Sequence, residues 1–277
     1  MIQRILALSL YLFRSLPLSL SGLLYVLMAL VFYLIFFQPG QRTPDVDYFI
    51  LLIGVFGASL AFLVTLTVAS RAHRASHLPL VVRLPSRPEY ITAVGLASFL
   101  FAGTIQALLA LVALAAARPQ LTLLASLDIP PIWLAVNVLF ITLALLASDL
   151  VTAGWSRVYI FGSLAVLLLL RQYLSAVTEG LAGVSRRLAS TFLDAGVDAL
   201  SSPFFAISNW LITSGQDIGS DAIGLIFWPF EAIINAVRVG AFSSTQALAP
   251  AVLLLYATVL YILAADLFAG KDLLMTE

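Results

Sequence analysis

Apolar runs of about 20 residues recur along this 277-residue chain, and no other feature limits its fold so tightly. Wound as an α-helix at about 1.5 Å per residue, such a run is about 30 Å long, the thickness of a bilayer's hydrocarbon core. Six runs qualify, roughly Leu18–Phe37, Tyr48–Ser70, Tyr90–Ala117, Pro131–Ala153, Val158–Val177 and Ala247–Phe268. Hydrocarbon offers no water to bond free N–H and C=O groups, so each run must satisfy its own backbone as a helix. The predicted fold is therefore all-α, a polytopic integral membrane bundle of about six transmembrane helices. Composition agrees. Hydrophobic residues make up 62% of the chain and charged residues 10%, against about 45–50% and about 25% in a soluble domain.

The first run follows Arg4 and Arg14 and ends in Phe36-Phe37-Gln38-Pro39. It is longer than the roughly 7–15 apolar residues of a signal peptide, so a retained anchor is expected. Basic residues in short loops set orientation. With the N-terminus inside, the short cytoplasmic segments hold Arg4, Arg14, Arg71, Arg74, Arg83, Arg87, Arg157 and Lys271, and the short outer loops hold Arg42 and Arg118. Both termini are thus expected on the cytoplasmic side.

Three segments are neither spans nor simple turns. In Met1–Ser15, Gln3, Arg4, Arg14 and Ser15 share one sector of a helical wheel with Leu and Ile around the rest. That pattern suits an N-terminal interfacial amphipathic helix over 1–16, followed by a single transmembrane domain over 17–277. The alternative is an extension of the first span, against which Pro17 argues. In Arg71–Glu89, four arginines and two histidines are interleaved with Leu78, Leu80, Val81, Val82 and Leu84, and Pro85-Ser86-Arg87-Pro88 reads as a turn into the third span. This is either a basic loop that fixes topology at anionic headgroups or a short amphipathic cytoplasmic helix. Thr178–Gln246 is too long for an ordinary connection and too apolar for disorder. Arg186, Ser190, Asp194 and Asp198 recur every four residues as one polar helix stripe. Short outer re-entrant or interfacial helices before the last span are expected here. An additional span over Ile223–Gly240 is the rival, opposed by Pro229, Glu231, Asn235 and Arg238.

The residue inventory narrows the chemistry. The chain contains no cysteine and no Gly-x-x-x-x-Gly-Lys-Ser/Thr loop to cradle a nucleotide phosphate. His73 and His77 are the only histidines, so neither a multi-histidine metal site nor a Ser/His/Asp triad at membrane depth is expected. A formal net charge of zero gives no basic field for nucleic acid. Asp149 and Asp266 lie near the ends of their spans and read as interfacial acids. Gln106 and Asn137, amides inside apolar runs, either join helices by hydrogen bonds or contact a substrate. Arg171 either snorkels outward, pairs with Glu179, or takes part in a pathway. Gly54, Gly57 and Ala58, with Gly95, Ala102 and Gly103, permit close helix approach.

Taken in order, four features resemble the permease subunit of ABC-2-type (type V) exporters. They are the helix Met1–Ser15 before the first span, the stretch Leu84-Pro85-Ser86-Arg87-Pro88-Glu89-Tyr90 followed by Gly95, the long segment Thr178–Gln246, and the exit Phe268-Ala269-Gly270-Lys271-Asp272-Leu273. The resemblance implies a location in the plasma (inner) membrane. It also implies a coupling helix within Arg71–Glu89 that docks on a separate ABC ATPase through Arg74, His77, Leu80, Arg83, Leu84 and Arg87. A second permease copy or a related permease would complete the pathway. ATP would be bound by the partner, and no cofactor or catalytic residue is expected in this chain. A non-transporting membrane scaffold, or a channel or secondary carrier, are the readings from other classes.

Overall fold

The structure, a computed structural model, describes residues 2–37, 45–71, 86–117, 119, 121, 123–151 and 155–270. All regular structure among them is helical. The helices are α1 (Ile2–Ser15), α2 (Leu20–Phe36), α3 (Val46–Arg71), α4 (Arg87–Ala117), α5 (Leu123–Ala147), α6 (Trp155–Asp194), α7 (Asp198–Trp210), α8 (Gln216–Val239) and α9 (Ala249–Gly270). A π-helical turn, Leu211–Gly215, joins α7 to α8, and a 3₁₀ turn, Gln246–Leu248, precedes α9.

Six stretches are long and apolar enough to cross a membrane: Val46–Arg71, Arg87–Ala116, Ser126–Ala147, Ile160–Asp194, Asp198–Val239 and Gln246–Gly270. The bent pair α1 and α2 would make a seventh if it acts as one span. The chain is a polytopic helical membrane protein. Segment 178–246 differs in detail from the short helices expected there. α6 runs on to Asp194, and Asp198–Val239 is helical almost throughout, so the rival span over Ile223–Gly240 falls within a long apolar helix.

The chain divides into two compact units, Met1–Val158 with Pro229–Glu277, and Tyr159–Trp228. In the first, α5 packs against α3 and α9, and α4 packs against α1, α3, α5 and α9. Small residues line these contacts. Ala58 and Ala61 on α3, Ala93, Ala97 and Ala102 on α4, and Ala135 and Ala144 on α5 are buried, so the backbones approach closely. α1 buries Ile5, Ser9 and Leu12 and meets α2 at 71°. It is therefore not a straight extension of α2. Pro17 removes a backbone donor at the corner, Ser19 caps the start of α2 by accepting from Gly22 N–H at 3.2 Å, and the Leu16 carbonyl rests against Gly22, where a Cβ would lie 2.0 Å from it.

In the second unit the chain reverses at Gly196, whose φ of 74° is open to glycine at little cost. The amides of Gly196 and Val197 bond back to Leu193 and Phe192 and close the end of α6. Past the turn the chain runs back antiparallel. Ser185 Oγ donates to the Phe204 carbonyl at 2.8 Å, Phe192 stacks on Phe204, and Gly219 approaches Leu174. α6 breaks helical geometry at Tyr173 (φ −118°, ψ 17°). The stretch before that break, from Trp155 to Gln172, is about 27 Å long, close to one hydrocarbon thickness.

Candidate functional site

One end of the larger unit gathers the residues on either side of the basic loop. Ile53 on α3 lies about 27 Å before Arg71, and Gln106 on α4 lies about 28 Å after Arg87. These two residues are hydrogen-bonded to each other. Tyr25, whose hydroxyl donates to the Leu63 carbonyl of α3, packs its ring against Phe101 of α4, so the two helices also meet on the side towards both arginines; α3 and α4 are therefore antiparallel, and Arg71 and Arg87 stand at the same end of the bundle. Arg71 donates to Ser15 Oγ at 3.2 Å and to Ser19 Oγ at 2.9 Å, which ties the end of α3 to the corner between α1 and α2. Arg87 donates to the carbonyls of Phe268 and Ala269 at 3.5 and 3.1 Å. These are last-turn carbonyls of α9, where a cation also meets the negative end of the helix dipole. A bond between Thr92 and the Tyr261 hydroxyl, 2.6 Å, joins α4 to α9 further along. The two sequence stretches Arg87–Tyr90 and Phe268–Gly270, far apart in the chain, thus meet in space.

Of the docking residues expected from sequence, Arg74, His77, Leu80, Arg83 and Leu84 lie outside the described residues. Arg87 is placed, half-buried, on the end of α9. Beside it, Glu89 and Tyr90 are buried, and Glu89 Oε2 and the Tyr90 hydroxyl have no hydrogen-bond partner among the described residues. Both belong to the Leu84–Tyr90 stretch quoted above, where neither was assigned a role of its own.

The second polar cluster sits at the junction of α3, α4 and α5. Gln106 is 2% exposed and Asn137 3%. Gln106 Nε2 donates to the Ile53 carbonyl at 3.1 Å, and Asn137 Nδ2 donates to Gln106 Oε1 at 2.6 Å. One turn away Trp133 Nε1 donates to the Ile50 carbonyl at 3.1 Å. Both carbonyls belong to a helix in which each already accepts from the residue four positions on, namely Gly54 and Gly57. The side chain at that position lies over the preceding turn, so glycine there leaves the carbonyl open to a second donor. A Cβ on Gly57 would fall 2.2 Å from Gln106 Cδ, and one on Gly54 would fall 3.3 Å from the Trp133 ring. The Asn137 Oδ1 atom is buried with no hydrogen-bond partner among the described residues.

Arg171 is in the smaller unit. Its guanidinium lies 5.0 Å over the Phe227 ring, a cation–π contact. With Gln172, Ser175, Gln216 and Ser220 it lines a mostly polar cavity of about 320 Å³. Two further concavities, in the larger unit, are apolar. One of about 390 Å³ runs between α4, α5 and α9 past Gly95, Phe99, Val138 and Ala257. The other, about 370 Å³, lies between α3, α5 and the end of α8 past Val55, Ala58, Phe140 and Phe230. Comparison with protein families, with curated proteins and with solved structures finds no match to this chain.

Proposed function

We propose that this chain is the membrane-spanning permease subunit of an ATP-driven exporter of the ABC-2 type. The observation that carries the reading is the bracketing of the basic loop. The sequence of the basic loop is flanked by two arginines, Arg71, fixed to the α1–α2 corner, and Arg87, fixed to the end of α9. A force applied to that loop reaches the first and last helices through charge-assisted hydrogen bonds, the stronger class of such contacts. Arg74 and Arg83 supply cations for acidic groups of a partner, His77 adds a ring donor, and Leu80 and Leu84 supply apolar contacts. ATP is bound and hydrolysed by a separate ABC ATPase. Closure of two ATPase subunits would push two coupling loops together and rearrange two permease copies, identical or related. Both termini face the cytoplasm in this reading, and the chain resides in the plasma (inner) membrane.

A membrane scaffold without transport is the second reading. The observation in its favour is that Gln106 and Asn137 are engaged with each other and with Ile53. Co-expression with the ABC ATPases of the same genome separates the two. The exporter reading expects one ATPase to co-purify with the chain and to be lost with Arg83→Glu, while Arg87 is left unchanged because it also holds α9. Failure of every ATPase to associate with a well-folded chain would overturn it in favour of the scaffold.

A further inference from the structure

The smaller unit carries an amphipathic pattern that runs across two helices. Its seam is made of small residues. Thr178, Ala182, Ser185 and Ala189 on α6 and Ser201 and Ser208 on α7 are all buried. They recur at spacings of four and three on α6 and seven on α7, as in an antiparallel coiled pair, and their size lets the two backbones close up. The residues immediately before each seam position are Val177, Leu181, Val184, Leu188, Leu200 and Ile207, and all are between 41% and 55% exposed. The residues immediately after each are Glu179, Gly183, Arg186, Ser190, Ser202 and Asn209; Gly183 is half-buried and the other five are exposed.

A step of one residue back turns a helix by about 100°. In two antiparallel helices, the same step from a shared seam carries both side chains to the same side of the pair. All six branched aliphatic residues therefore lie on one broad side of the hairpin, and the polar set lies on the other. A water-soluble hairpin would do the reverse, with the aliphatic residues in the seam.

We infer that this hairpin lies in the membrane interface, with its aliphatic side in the acyl-chain region of the bilayer and its Arg186–Ser202 side in water. This holds whichever partner drives the protein. Three observations select lipid as the occupant. The hairpin belongs to a membrane-embedded chain, and the apolar run of α6 from Ile160 passes into the stripe at Val177 and Leu181. The stripe contains only Val, Leu and Ile, without the aromatic or arginine anchors that concentrate energy in protein interfaces. The opposite side carries both signs of charge, Glu179 and Arg186, as a water-facing surface of an interfacial helix does.

The test uses the full chain, which has no cysteine of its own. Single variants Leu181→Cys, Leu188→Cys and Ile207→Cys on one side, and Arg186→Cys, Ser190→Cys and Ser202→Cys on the other, are labelled with an environment-sensitive fluorophore in liposomes. Labels on the aliphatic side are expected to emit to the blue and to be quenched several-fold more by doxyl-labelled lipids than by iodide. Labels on the polar side should show the opposite ratio. A variant that does not elute like the parent is replaced by its neighbour in the stripe, Val184→Cys or Leu200→Cys. Equal iodide quenching on both sides would overturn the inference by placing the hairpin in water. Labels at 181, 188 and 207 that are shielded from both quenchers, and self-quench as copies per liposome rise, would overturn it in favour of a second copy.

Discussion

Replacing Gly57 by alanine places a methyl carbon 2.2 Å from Gln106 Cδ and 2.3 Å from its Nε2, closer than any real contact. The neighbour that must yield is a side chain 2% exposed, packed among α3, α4 and α5. Displacing it breaks the bond to the Ile53 carbonyl and the bond from Asn137. Each such bond within a membrane is worth about 0.6 kcal/mol on average and up to about 1.7. Overpacking a tight core adds about 1–3 kcal/mol. The expected loss is therefore about 2–4 kcal/mol, set against a gain of about 1 kcal/mol from alanine's better helix propensity. A Gln106→Ala background removes the three atoms nearest that Cβ, all of them in the Gln106 side chain, and there the same substitution should be neutral or stabilising by up to that ~1 kcal/mol. The four proteins form a double-mutant cycle. It is measured by reversible unfolding in mixed micelles, followed by tryptophan fluorescence, to which Trp133 beside the cluster contributes. An equal loss from Gly57→Ala in both backgrounds would refute the argument that glycine is there to admit Gln106.

Three further outcomes follow from single contacts. Gly22→Ala drives a Cβ to 2.0 Å from the Leu16 carbonyl; it should widen the 71° corner and lengthen the distance between spin labels at the far ends of α1 and α2. Arg87→Gln removes the cation from the end of α9, a loss of about 0.3–1 kcal/mol for a group of this exposure; amide exchange in the last turn before Gly270 should quicken while that of α3 does not. Gly196→Ala forces a Cβ into a left-handed conformation at a cost of about 1–2 kcal/mol; thermal melting in detergent should show a lower midpoint, with proteolysis at the hairpin turn rising first.

The spans were legible because apolar length is a one-dimensional property. Five expected runs coincide with parts of long apolar helices, and the first coincides with α2 of the bent pair. What could not be read was how far helices continue beyond one bilayer length. α6 carries on past Tyr173 because Leu181, Val184 and Leu188 keep a helical spacing, and only the antiparallel contact with α7 makes that stretch part of a hairpin. The polar residues divide in the same way. Gln106 and Asn137 stand out as amides in apolar runs, but the acceptor of Gln106, the Ile53 carbonyl, leaves no mark in sequence except the glycine four positions after it. That same signal at Gly54 points to Ile50 and Trp133 and could have been used. Arg71 was read as one of several loop charges. Its bonds to Ser15 and Ser19 depend on the bend at Pro17, a tertiary fact. The ends of α4 and α9 meet through Arg87 in a contact across most of the chain, which local pattern cannot reveal.

The central claim, that the loop between α3 and α4 couples this chain to an ATPase, is tested most directly by ATP hydrolysis in liposomes. The partner ATPase is reconstituted with the parent chain, with the Arg83→Glu variant, or alone. The account predicts a hydrolysis rate that depends on the parent chain and falls to the value of the ATPase alone with Arg83→Glu. The same rate in all three preparations, with the chain folded and inserted, would contradict it.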